Sequence, residues 1–126
     1  MSDGVLVVDA ANVVGSRPNG WWRDRGKAAA NLCDALVDAI DAGRLNAPIV
    51  VILEGAARQG ADEGDRNGLQ VVHAPRSGDD TIAAVASGAA ADGRTVTVVT
   101  ADRELRDRAQ QAGCDVVGPH WLLDHL

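Results

Sequence analysis

The stretch VLVVDAANVVGSRPNGWWRDR, residues 5–25, passes from four aliphatic residues to a carboxylate at Asp9, then to Asn12, then to a segment with two tryptophans and three arginines. An unbroken apolar, β-branched run suits a parallel strand buried on both faces, because a strand with one wet face would alternate. A carboxylate closing such a strand stands where open parallel sheets gather their ligands, outside the carboxyl ends of the strands. The arginines and tryptophans that follow are of the types that receive phosphates and stack unpaired bases.

Further runs of the same kind are IVVIL (49–53), LQVVH (69–73) and TVTVV (95–99), with a weaker CDVVG at 114–118. Between them lie segments of helical spacing: AAANLCDALVDAIDAG (28–43), DDTIAAVASGAAADG (79–93) and DRELRDRAQQAG (102–113). Each ends on a glycine placed to terminate a helix. The resulting order, β-α-β-β-α-β-α-β, predicts an α/β fold with a mainly parallel central sheet, right-handed crossovers and helices on both faces. The polar, glycine-rich segment EGAARQGADEGDRNG (54–68) has no hydrophobic period and reads as a mobile loop. The final PHWLLDHL (119–126) reads as a short helix packed by Trp121, Leu122 and Leu126.

A chain of 126 residues with 46% hydrophobic content suits one domain spanning 1–126, large enough to bury a core. Cys33 and Cys114 lack metal-binding spacing and are expected to be buried as small apolar residues. No secretory leader pattern or membrane-length apolar run is visible, so the expected location is the cytoplasm, with no membrane partner. The formal net charge of −6 excludes nucleic-acid binding by bulk electrostatics, while leaving room for a local basic rim around an acidic centre.

Several carboxylates fall at strand ends or just beyond them: Asp9, Glu54, the pair Asp79 and Asp80, and Asp102 with Glu104 two residues on. In a parallel sheet these edges converge on one crevice. The repulsion among such acids is relieved by protonation, by arginine, or by a hard divalent cation held through oxygen. No lysine lies near them in sequence, which favours Mg²⁺ or Mn²⁺, the ions suited to phosphodiester hydrolysis. A structural explanation competes at most positions. Asp79 and Asp102 can be helix N-caps, Glu54 can be a solvated loop residue, and Asn12 can be a turn residue or can orient Asp9 or a water. Asp9 has no capping role unless a helix starts at once.

Taken together, VDAANVVG (8–15), GDDTI (78–82) and VTADRELRDRA (99–109) resemble the NYN domains of the PIN-like nuclease superfamily, most closely its bacterial YacP-like branch. The likeness in order and spacing spans almost the whole chain. It implies a PIN-like three-layer α/β domain and a metal-dependent endoribonuclease. Its catalytic residues would be Asp9, Asn12, Asp79 and Asp102. The Mg²⁺ or Mn²⁺ ligands would come from Asp9, Asp79, Asp80, Asp102 and Glu104, with Asp107 an alternative to Glu104. Glu54 stands where the family often has aspartate. The implied partner is RNA, free or ribosome-associated, and because PIN-like domains often pair, a homodimer is implied too.

With a metal at Asp9, the segment after it lies at the mouth of the same crevice. Arg17, Arg23, Arg25 and Lys27 then meet phosphates, Arg76 and Arg103 complete a basic rim, and of the two tryptophans one is expected packed and one, Trp22, free to stack a base. His73, His120 and His125 are given no role. Two other classes of function compete: a non-catalytic domain binding RNA, a ribosome or a protein, and a small nucleotide phosphohydrolase. A receiver-like phosphoacceptor is set aside for want of a suitably placed lysine.

Overall fold

The computed structural model describes residues 4–17 and 20–126. Along the chain lie β1 (Val5–Asp9), α1 (Ala10–Gly15), a 3-10 turn (Trp21–Arg23), α2 (Arg25–Asp41), β2 (Ile49–Leu53), a second 3-10 turn (Gly55–Gly60) and β3 (Gly64–Arg66). There follow β4 (Leu69–His73), α3 (Gly78–Ala91), β5 (Val96–Val99), α4 (Arg103–Gln111), β6 (Asp115–Val117) and α5 (Pro119–Leu123). The strands form one six-stranded sheet in the order β3-β4-β2-β1-β5-β6. All neighbouring pairs are parallel except β3 with β4.

The unbroken apolar runs have the expected cause: both faces of the sheet are covered. Val5, Val7, Val50, Ile52, Val96 and Val98 pack with Ile82 and Ala86 of α3 and Leu105 and Ala109 of α4. The intervening residues Leu6, Val8, Ile49, Val51, Leu53 and Val99 pack with Leu32, Cys33, Leu36 and Val37 of α2, Val13 of α1 and Leu122 of α5. Three layers result. Both cysteines are free and buried in these layers, and burial pushes the Cys33 thiol up to about 11. Helices α2, α3 and α4 each stop shortly before a glycine of positive φ, at Gly43, Gly93 and Gly113, as the sequence pattern predicts.

Three local expectations are corrected. The segment after Asp9 is not all loop: α1 begins at Ala10, and α2 starts at Arg25 rather than near residue 28. Residues 54–68 hold the second 3-10 turn and β3, which pairs antiparallel with β4 through a two-residue turn at Asn67 and Gly68, with φ of 50° and 90°. Asn-Gly is the favoured dipeptide for such a turn, because both central residues need positive φ. Trp121, expected to pack α5 down, is 39% exposed and lies against His125, while Pro119 and Leu122 are buried there.

The second 3-10 turn lies directly on α2. At Gly60 the place of a Cβ is taken by the Gly26 carbonyl oxygen and closely approached by Ala30 N at 2.8 Å. Among the described residues no helix is long and apolar enough to cross a membrane.

Candidate functional site

Strand β1 is followed in the sheet by β2 on one side and, after a crossover through α3 on the opposite face, by β5 on the other. The strand order therefore reverses between β1 and β5, the place where α/β sheets open a crevice for ligand. Asp9 ends β1 and Thr100 follows β5, so both stand at that reversal.

Asp9 is 3% exposed. Because α1 starts at once, Asp9 does cap it, its Oδ1 accepting from Asn12 N at 3.2 Å. Its Oδ2 accepts from the buried Thr100 hydroxyl at 2.8 Å. Thr100 Oγ1 in turn accepts from Asp102 N at 3.2 Å, and Asp102 Oδ1 caps α4 by accepting from Leu105 N at 2.9 Å. The Asn12 side chain is spent elsewhere than on Asp9: its Oδ1 accepts from Ala101 N at 2.9 Å, tying α1 to the turn that carries Asp102. Six residues from two chain segments thus form one network.

A cap alone does not explain the electrostatics. Burial raises the Asp9 carboxyl to about 6, against the lowering effect of its bonds from Thr100 and Asn12, and the charges of Asp79 and Glu54 raise it further. Asp79, in the first turn of α3, is also held above its ordinary range, first by burial and then by Asp102 and Glu54; Arg108 lowers it, and Glu104 raises it. Asp9 therefore lies in the field of Asp79 and Glu54, and Asp79 in that of Glu54, Asp102 and Glu104. Three helices, α1, α3 and α4, begin around them, and their N-terminal dipoles offset part of the repulsion.

Glu54 is part of this group by position: its Oε2 accepts from Gly78 N at 3.1 Å, fixing the start of α3 to the end of β2. Asp80 is engaged differently. Its Oδ1 accepts from Arg108 Nη1 at 3.0 Å, with the Asp80 side chain 82% exposed. Such an exposed pair contributes little, but it brings a cation beside Asp79 that spacing in the sequence did not suggest. Thr100 and Arg108 are the site residues that motif reading passed over, while Glu54 was already visible as a strand-end acid. The threonine of the Thr-Ala-Asp triplet was the available signal for the first.

Among the described residues no group of three or more His, Cys, Asp or Glu side chains forms a cage for a metal ion. The five acids expected as ligands do not converge to that degree. An all-oxygen set of separated carboxylates fits a different arrangement, a Mg²⁺ ion held by one or two carboxylates that keeps several of its waters.

The basic and aromatic residues expected at the rim lie at the surface. Arg17, Arg23, Arg25, Arg76 and Arg103 are exposed. Trp22 is 54% exposed and Trp21 is partly buried, the two rings meeting edge to face at 6.3 Å. The Arg23 guanidinium lies 5.8 Å from the Trp22 ring centre and that of Arg25 lies 5.4 Å from Trp21. His73 serves the backbone, its Nε2 bonded to Ala61 O.

A mostly parallel sheet of this order, with helices on both faces and acids where the order reverses, defines a PIN-like α/β fold. The structure is similar to that of Rae1 (YacP) from Bacillus subtilis, solved as a tryptophan-to-leucine variant, with a TM-score of 0.63 and 18% identity over 95% of this chain and 72% of that one. At that identity the likeness shows a YacP-like fold and nothing finer. No family model and no curated protein sequence matches the chain.

Proposed function

We propose that this chain is a metal-dependent endoribonuclease that hydrolyses RNA phosphodiester bonds at the crevice between β1 and β5. The observation that carries this reading is Asp9: a buried carboxylate, fixed by two hydrogen bonds yet surrounded by like charge, at the strand-order reversal. A structural cap needs neither the burial nor the neighbouring acids. Perturbed carboxylates of this kind mark functional sites.

Asp9, Asp79 and Asp102 would hold Mg²⁺ or Mn²⁺, directly or through its waters, with Glu54 and Glu104 adding negative charge nearby. When bound, the ion supplies charge neutralisation at the phosphate and acidifies an attacking water. This chain's own residues do the rest. Thr100 and Asn12 N fix the two oxygens of Asp9, and the Asn12 side chain holds the Asp102 turn in register with it. Arg17, Arg23, Arg25, Arg76 and Arg103 attract the phosphate backbone locally on an otherwise acidic chain, and exposed Trp22 offers a stacking surface.

Incubation of a labelled mixed-sequence RNA with the protein in Mn²⁺, Mg²⁺ or EDTA tests this. Cleavage that depends on the metal and is lost in Asp9→Asn and Asp102→Asn is the expected result. Absence of cleavage in every metal, with folded protein, would overturn it. Thr100→Val retains the shape of the buried side chain but removes a bond to Asp9 and one from Asp102 N. It is expected to lower cleavage roughly 10- to 100-fold, the usual effect of losing a residue that orients a metal ligand, read as kcat/KM at saturating metal.

A further inference from the structure

Beside the acidic crevice lies a separate cavity of about 280 Å³. Its walls are small and apolar, including Ala10 and Ala11 of α1, while Trp21, Arg25, Glu54 and Gly55 supply the other chemistry. Ala10 directly follows Asp9, and Glu54 is one of the acids whose charge reaches Asp9. The cavity and the crevice therefore share a wall.

We propose that this cavity receives one unpaired nucleobase of the RNA, from the nucleotide next to the phosphate at Asp9, with Trp21 as its stacking wall. The inference rests on the ribonuclease reading above and requires the bound nucleotide to be unpaired. A duplex base is already stacked on its neighbours and cannot turn into the cavity, whereas an unpaired one can be splayed out onto an aromatic ring. The lining matches the chemistry of such a ligand. An indole and a guanidinium 5.4 Å from its centre offer π surfaces, Arg25 brings positive charge for the adjoining phosphate, and the Glu54 carboxylate and Gly55 backbone offer polar partners for the base edge. Trp22, more exposed but outside the cavity lining, is then an outer platform and Trp21 the specific one. Trp21 is itself held in place: its ring edge lies 3.6 Å from where a Cβ would stand at Gly15, so α1 supports the wall.

The experiment measures binding by fluorescence anisotropy in EDTA, where no cleavage occurs, using a fluorescein-labelled 12-mer RNA as single strand, as duplex, and as single strand with abasic positions. The wild-type protein is expected to prefer the single strand and to lose affinity when bases are removed. Trp21→Ala should weaken single-strand binding about tenfold, within the range for loss of one stacked base, and become insensitive to abasic substitution. Trp21→Phe should restore most of the affinity, and Ala11→Leu, which fills the cavity from an exposed helical position, should reproduce the loss. Trp121→Ala, at a different pocket that Trp121 lines with Leu6 and Thr97, should bind as wild type. Equal binding by wild type and folded Trp21→Ala would overturn the pocket, as would preference for the duplex. So would binding of a free nucleoside monophosphate with none of the strand. Metal-dependent cleavage, measured separately, decides the ribonuclease reading, so the two can fail independently.

Discussion

Asp9→Asn is expected to abolish cleavage and, in EDTA at pH 7, to make the protein more stable by about 2 kcal/mol. The second effect follows from the first carboxylate's environment. An aspartate titrates near 3.8 in the unfolded chain and at about 6 in the folded one. Between those values the folded protein holds a proton that the unfolded chain has released, so stability falls as pH rises through the window and stays low above it. A shift of this size corresponds to about 3 kcal/mol at neutral pH. Asparagine escapes that cost and is as good an N-cap as aspartate, but its amide must replace one accepting oxygen, disturbing the Thr100 or Asn12 bond at about 1 kcal/mol. Urea denaturation in EDTA at pH 7 and pH 4 tests the balance: the gain should be present at pH 7 and vanish or reverse at pH 4. Added Mg²⁺ should raise the Tm of the wild type and leave that of Asp9→Asn unmoved, because an ion that binds only the folded form stabilises it. A variant less stable than wild type at pH 7 would show that the carboxylate is not held under electrostatic cost.

The second large effect is a contrast across one interface. Gly60→Ala places a Cβ on the Gly26 carbonyl oxygen, 2.8 Å from Ala30 N and 3.0 Å from Ala29 Cβ. These are atoms of the α2 backbone and its tightly packed first turns, which cannot swing aside, so the 3-10 turn and the helix must separate. Forced overpacking of this kind costs about 1–3 kcal/mol or more. Separation also pulls Gly55 and Ala57 away from Arg25 and Ala29, which line the cavity beside the acids, so RNA binding should weaken with stability. Gly26→Ala meets nothing closer than 3.6 Å from the other side of the same contact. Alanine is the better helix former by up to about 1 kcal/mol, so this variant should be neutral or slightly stabilising. Urea midpoints moving in the same direction for both would contradict the close approach.

How far the sequence disclosed this molecule depended on the range of the physics involved. The buried strands were legible because two covered faces leave an unbroken aliphatic run, and the helix ends because α2, α3 and α4 stop near glycines. Helix α1 was not, since six residues rich in alanine and valine carry too short a period to distinguish helix from loop. Its omission is what made Asp9 look uncapped. The β3–β4 hairpin was marked by Asn67-Gly68, but β3 is a three-residue, fully exposed strand with no hydrophobic pattern. At the site, the acids were visible as strand-end residues. The partners they bond were not: Thr100 lies 91 residues from Asp9 in sequence and Arg108 lies 28 from Asp80. Such pairings are decided by strand order, and no local motif encodes them.

Both margins of the sheet end in three-residue strands, β3 and β6. A neighbouring chain offering its own strand would gain only a few backbone hydrogen bonds there, and at β3 would meet Arg66, which already pairs with Asp34 at 2.7 Å. Short, charged margins are how sheet proteins guard against edge-to-edge aggregation. Self-association of this molecule therefore has little to gain from continuing one sheet into another.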